Sequence, residues 1–123
     1  MDADGRWRTV LPTGKADGIS RTLTVRSGRE TLTVSDIVLG EVWLCSGQSN
    51  MEMPLSGFGF QEVDGASEAI MAAPETASQV RVFDIRTPKC TEPTEDVEAV
   101  WTLSSSAVAA RTSAVAYFFA RRL

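Results

Sequence analysis

The amino-acid sequence predicts an α/β protein that opens with antiparallel β-structure and passes, after Asp36, into the start of a parallel sheet flanked by helices. Three observations carry this. Residues 21–26 (RTLTVR) and 30–34 (ETLTV) alternate apolar and polar side chains with period two, on either side of Ser27-Gly28-Arg29. Residues 37–39 and 42–45 are instead almost continuously apolar, the pattern of a strand covered on both faces. Beyond them, helical and strand-like segments alternate, as they do in an α/β sheet.

Taken in order, residues 7–11 read as a short strand closed by Pro12, and residues 15–18 as a turn-rich loop. The two alternating segments form an antiparallel hairpin with Leu23, Val25, Leu32 and Val34 inward, an edge of a sandwich. Residues 51–60 contain Pro54, Gly57 and Gly59 and read as loop. Residues 64–73 (DGASEAIMAA) predict a helix with Asp64 as N-cap and Pro74 just past its end. Residues 80–85 (VRVFDI) alternate as a second strand, and residues 86–99, rich in Pro, Thr and Glu, read as a surface loop. A last helix is expected over residues 112–123, capped by Thr112 or Ser113, with Val115, Phe118, Phe119 and Leu123 on one face. Arg121 and Arg122 suit the negative end of its dipole. The expected division is a β-sandwich-like region at 1–35 and an α/β region at 36–123, the latter incomplete as a domain because two parallel strands do not finish a sheet.

At 123 residues the chain has the length of one ordinary domain. With 12 Lys and Arg against 16 Asp and Glu, it lacks the basic excess of a nucleic-acid surface. Its longest apolar runs, such as residues 114–120, are far shorter than the roughly 18 residues that span a bilayer, so no membrane partner is expected. The opening residues MDADGRWR contain no apolar core of a signal peptide, and the compartment stays open. Cys45, in an apolar run, reads as a small buried hydrophobe, and Cys90 lies in the polar loop. A bridge between them is the less favoured of the two readings. With no histidine and no CxxC spacing, neither a metal nor another cofactor is expected.

The chemically informative segment is Gly47-Gln48-Ser49-Asn50-Met51. A serine directly after an apolar strand sits at the strand's C-terminal end, where open α/β sheets bind ligands. Gly47 permits a sharp turn there. Such a turn presents the Ser49 hydroxyl, while the backbone N–H is available to an oxyanion and Gln48 and Asn50 add polar side chains. The spacing is not the G-x-S-x-G of the α/β-hydrolases. On composition alone the same residues also make an ordinary loop.

Residues 40–54 (GEVWLCSGQSNMEMP) resemble the first block of the sialate O-acetylesterase family of SGNH hydrolases, with Glu41 in place of the usual Asp. Weaker similarity covers residues 7–34 and residues 80–123, including Trp101 and SAVAYFFARRL. The resemblance implies a flavodoxin-like SGNH hydrolase domain preceded by the last strands of a β-sandwich. It implies that Ser49 is an acyl-accepting nucleophile and that its N–H is one oxyanion donor. An O-acetylated carbohydrate is the implied substrate, sialic acid or an acetylated polysaccharide. The family's later glycine, its Asn- or Gln-bearing segment and its His base with an Asp have no counterpart here. The chain therefore reads as an N-terminal portion, its expected partner being the C-terminal part of the enzyme or another chain.

The absence of histidine weighs on mechanism, because a serine hydroxyl needs an adjacent base at neutral pH. Lys15 and Lys89 both fall in predicted loops, which disfavours a Ser–Lys pair. The chain by itself is expected to be nearly inactive, and a non-catalytic carbohydrate- or partner-binding fragment is the alternative. Phe58 and Phe60, in the Gly-rich loop after Ser49, are candidates for lining a substrate cleft. Trp43 and Trp101 could stack on a sugar ring, but Trp43 reads rather as core. Asp84, at a strand end, reads rather as a turn residue than as a catalytic carboxylate, and Glu92, Glu95, Asp96 and Glu98 as a solvated loop.

Overall fold

The computed structural model describes residues 5–85, 91–94 and 96–123. The chain divides into two compact units, Met1–Trp43 and Leu44–Leu123.

The first unit is built on a hairpin of β1 (Arg21–Ser27) and β2 (Glu30–Ile37). Leu23 pairs with Val34 and Val25 with Leu32, so the four apolar side chains share one face as the alternation requires. Gly28, with φ 58°, supplies the positive φ that a two-residue turn needs at its first central position. The ladder shifts register between Arg21 and Leu23, opposite Asp36, which has φ 58° and accepts a hydrogen bond from Ser20 Oγ at 3.0 Å. A bulge there places one extra residue on β2, and a short polar side chain tolerates the left-handed backbone. β2 continues to Ile37, two residues beyond the boundary expected at 35.

Before the hairpin, Asp17 receives a forked pair of bonds from Arg21, 2.9 Å from Nη1 and 2.6 Å from Nη2, and a third from the Ile19 N–H at 3.0 Å. No strand forms at residues 7–11, where Trp7, Val10 and Leu11 are exposed. An extended segment without a pairing partner leaves its backbone groups to water, and alternation alone does not hold it. Leu23, Leu32 and Val34 are likewise more exposed than expected, since a two-stranded hairpin has no second layer to cover its apolar face.

The second unit contains α1 (Ser49–Glu52), α2 (Ala66–Ala72) running into a 3₁₀ turn (Ala73–Thr76), β3 (Arg81–Phe83), β4 (Trp101–Leu103), α3 (Ser106–Arg111) and α4 (Ala114–Ala120). Its core is Leu55, Ala69, Ala73, Ala109, Ala114 and Tyr117, flanked by Val63, Ala66 and Ile70. The alanines let α2 and α3 approach closely around two large side chains, Leu55 at 0% and Tyr117 at 1% exposure. α2 is capped by Gly65 in the left-handed conformation, not by Asp64, and gives way to the 3₁₀ turn at Pro74, whose ring cannot continue an α-helix.

β3 lies within the expected 80–85 strand, but its partner is β4, which pairs with it antiparallel (Arg81↔Leu103, Val82↔Thr102, Phe83↔Trp101). The pair is reinforced by Thr102 Oγ1 donating to Val82 O at 3.1 Å and by Phe83 against Trp101, ring centroids 5.2 Å apart. Both strand pairs among the described residues are therefore antiparallel. Residues 42–45 form no strand, and Val42, Trp43, Leu44 and Cys45 are exposed, Leu44 at 87%. A two-faced buried strand needs neighbours on both edges and both faces, and none is present among the described residues. Trp43 and Cys45 are accordingly not core, and Cys45 is a free thiol. Its expected relation to Cys90, and the loop residues 86–90 and 95, lie outside the described residues.

The helix expected over residues 112–123 is α4, with Ser113 as its cap, and a further helix not expected from the sequence, α3, precedes it. Ser105 caps α3, accepting from Val108 N at 3.2 Å, and Ser113 caps α4, accepting from Ala116 N at 3.4 Å. Between them Thr112 is extended, with ψ 148°. The buried stripe of α4 is Ala114 and Tyr117, whereas Val115, Phe118, Phe119 and Leu123 are exposed. Periodicity finds the apolar face, but the neighbouring layer decides which stripe is covered.

Two outcomes follow from this packing. Leu55→Ala is expected to destabilise the second unit by about 2–5 kcal/mol, and Ser105→Ala by about 1 kcal/mol, read from urea unfolding. In the first unit, bonding from the Arg21 side chain, then the Ile19 N–H, holds the Asp17 carboxyl down at about 2 against its ordinary 3.8. A depressed folded value means that the stabilisation is present above the ordinary value and is lost as pH falls from there through about 2. Carboxyl NMR titration of Asp17 checks this, and Asp17→Asn should remove that part of the pH dependence.

Candidate functional site

Ser49 opens α1, the single helical turn that follows Gly47 and Gln48. Gln48 is the N-cap, extended at φ −105°, and its carbonyl accepts from Met51 N at 2.8 Å and Glu52 N at 3.0 Å. Met53 N reaches back to Ser49 O at 3.1 Å. The Ser49 and Asn50 N–H groups, at the first two helical positions, have no acceptor within the helix. Gly47, Gln48, Ser49 and Asn50 are all exposed, and Ser49 Oγ makes no hydrogen bond among the described residues. Ser49 thus stands exposed at the start of a single helical turn, and the apolar strand expected to lead into that turn is not formed at residues 42–45.

The turn is anchored by the segment that follows it. Residues 53–56 run antiparallel to residues 110–114: Leu55 N donates to Thr112 O at 2.8 Å, Ser56 N to Ala110 O at 2.9 Å and Ala114 N to Met53 O at 2.9 Å. Pro54 faces Ser113 in this bridge. Proline fits there because it needs only to accept or to be passed over in the ladder. Nothing in the local sequence announces this pairing, since the two segments are separated by most of the second unit; a weak signal is the extended preference of residue Met53 before Pro54.

Beyond Leu55 the chain makes a tight loop. Phe58 N donates to Gln61 O at 3.0 Å and Gln61 N to Phe58 O at 2.5 Å, leaving Gly59 and Phe60 at the tip. Gly57, with φ 78°, lies against the Gln61 carbonyl, so no side chain fits at that position. Phe60 is 91% exposed and Phe58 is partly exposed, both held on this loop. An open cleft of about 340 Å³ lies elsewhere, lined by Asp84, Ala99, Val100, Thr102 and Arg111, and neither Ser49 nor either phenylalanine lines it. Trp101 lies against Phe83 and remains 55% exposed. Among the described residues no three Cys, Asp or Glu side chains gather in metal-binding geometry, and no helix is long and apolar enough to cross a membrane.

No protein-family model matches the chain. It is 32% identical to the sialate O-acetylesterase of Rattus norvegicus and 33% identical to that of Mus musculus, each over 99 residues covering 76% of the chain. It is 44% identical to the sialate O-acetylesterase of Homo sapiens over 50 residues, 38% of the chain. The fold matches a carbohydrate acetylesterase from Xanthomonas citri with a TM-score of 0.82 and 33% identity, over 99% of this chain and 26% of that one. The chain spans 17% of the length of the rodent relatives. Sequence and fold thus agree with the resemblance carried by residues 40–54, and the chain is a homologue of the sialate O-acetylesterases.

Proposed function

We propose that this chain is the nucleophile-bearing portion of a carbohydrate O-acetylesterase, with Ser49 as the nucleophile. The observation that carries the reading is Ser49 itself, exposed at the start of α1, with a hydroxyl unengaged among the described residues and with its N–H unpaired within the helix. The esterase names of its homologues and of its structural neighbour support the reaction class. In this reading Ser49 Oγ attacks the acetyl carbonyl carbon while a base takes its proton. The oxyanion is met by the Ser49 N–H within the Gly47–Gln48–Asn50 turn, and the C–O bond to the sugar breaks as the sugar oxygen receives the proton. Water then attacks acetyl-Ser49 with the same base assisting, releasing acetate. Phe58 and Phe60 offer aromatic faces to the apolar side of an acetylated sugar ring.

The chain contains no histidine, so in this reading the base is a residue outside these 123, in a remaining part of the enzyme or in another chain. The same partner would complete an SGNH, flavodoxin-like sheet. In that sheet, residues 42–45, exposed here, would become a covered parallel strand, with the sandwich-like region at 1–35 preceding it. The missing histidine also favours a second reading, a non-catalytic module of this fold that binds carbohydrate or a partner protein.

The chain alone should hydrolyse 4-nitrophenyl acetate at close to the background rate. Mixed with the remaining part of the enzyme it should be active, and Ser49→Ala should lower that rate on the order of 10⁴-fold or more. A verified complex that stays inactive, yet retains an acetylated oligosaccharide, would establish the binding module instead. In the active assembly Phe60→Ala is expected to raise KM for an acetylated sugar and leave kcat nearly unchanged, measured by acetate release.

A further inference from the structure

The side chain of Met51 lies between the residue that precedes the serine turn and the start of α4. On one side it packs on Gly47: a methyl group added to Gly47 would stand 3.0 Å from Met51 Cβ and 3.6 Å from Met51 Cγ. On the other, Ser113 Oγ donates to Met51 Sδ at 3.2 Å across 62 residues of sequence. The same hydroxyl accepts from Ala116 N at 3.4 Å, so one group caps α4 and grips the thioether. Met51 and Ser113 are both partly buried, and α1 packs against α4.

A one-turn helix has almost no stability of its own, because nucleation fixes several residues for one or two bonds. The position of Ser49 is therefore set by what holds the residues after it. A methionine side chain is unbranched and soft, and it takes a single position only where both its stem and its sulfur are engaged. Here the stem is engaged by Gly47 and the sulfur by Ser113.

We propose that Met51 is a positioning residue for Ser49, a strut that ties the Gly47–Asn50 turn to the N-terminus of α4 through Ser113. The inference rests on the reading of Ser49 as the nucleophile. It also gives Gly47 a second reason to lack a side chain, since a Cβ there would press on the strut.

The test uses the intact chain, with amide NMR of residues 47–50 and the rate at which peroxide oxidises each methionine, read by mass spectrometry. Ser113→Ala should shift the Gln48, Ser49 and Asn50 amides and speed Met51 oxidation, with Met71, 79% exposed, as the internal reference. Ser113→Thr, which restores a hydroxyl, should return both towards the parent. Ser105→Ala removes the equivalent cap of α3 without touching Met51 and should change neither. If Ser113→Ala does not fold, Met51→Leu keeps the bulk and deletes the sulfur acceptor, and it should move the same amides while leaving those around Tyr117 in place.

Unmoved amides in the folded variants, or equal movement in Ser105→Ala, would overturn the strut. In the reconstituted enzyme Ser113→Ala should lower kcat on the order of 10- to 100-fold with KM little changed, as expected for a displaced nucleophile. A parent assembly without esterase activity would sink the catalytic reading, while the NMR comparison decides the strut independently.

Discussion

The second unit depends on one constraint, the antiparallel bridge that fastens residues 53–56 to residues 110–114. Three backbone bonds of 2.8–2.9 Å close a long loop of chain, and their geometry puts Leu55 at the centre of the core against Ala109, Ala114 and Tyr117. Closing such a loop costs conformational entropy that no single bond offsets. The buried side chains brought together by the bridge supply the rest of the driving force. α3 and α4 are separate helices for the same reason. Thr112 must be extended to present its carbonyl to Leu55, which ends one helix and requires a new cap, Ser113, for the next.

The serine turn inherits its order from that bridge. α1 is too short to define itself, yet it is joined without a break to Met53 and Pro54, both of which face the α3–α4 junction. The role proposed for Ser49 needs an exposed hydroxyl on a fixed backbone. The exposure comes from the bend after Gly47, and the fixity from contacts made far away in sequence. The tight loop at Phe58 and Gln61 follows directly, so two aromatic side chains are displayed a short distance along the chain from Ser49.

Much apolar surface remains uncovered. Val42, Leu44, Val100, Leu103, Val115 and Phe119 are all substantially exposed, and the core of the second unit is made largely of alanine. Exposed apolar area on this scale is usually found where another surface is to be covered. The chain spans 17% of the length of the rodent proteins it matches.

Local pattern was sufficient for the hairpin and for the existence of α2, β3 and α4. Period-two alternation and a glycine turn specify β1 and β2 with their shared face, because these depend on near neighbours in the chain. The resemblance of residues 40–54 named the family by the same route. Local pattern did not reveal the β3–β4 pairing, helix α3, the choice of Ala114 and Tyr117 as the buried stripe of α4, or the exposure of residues 42–45. Each of these is decided by which distant segment lies opposite, and a side chain's burial is a property of that neighbour as much as of its own sequence. The contact of Met51 with Gly47 and Ser113 belongs to this second group: each residue is visible in the sequence, but only the bridge brings them together.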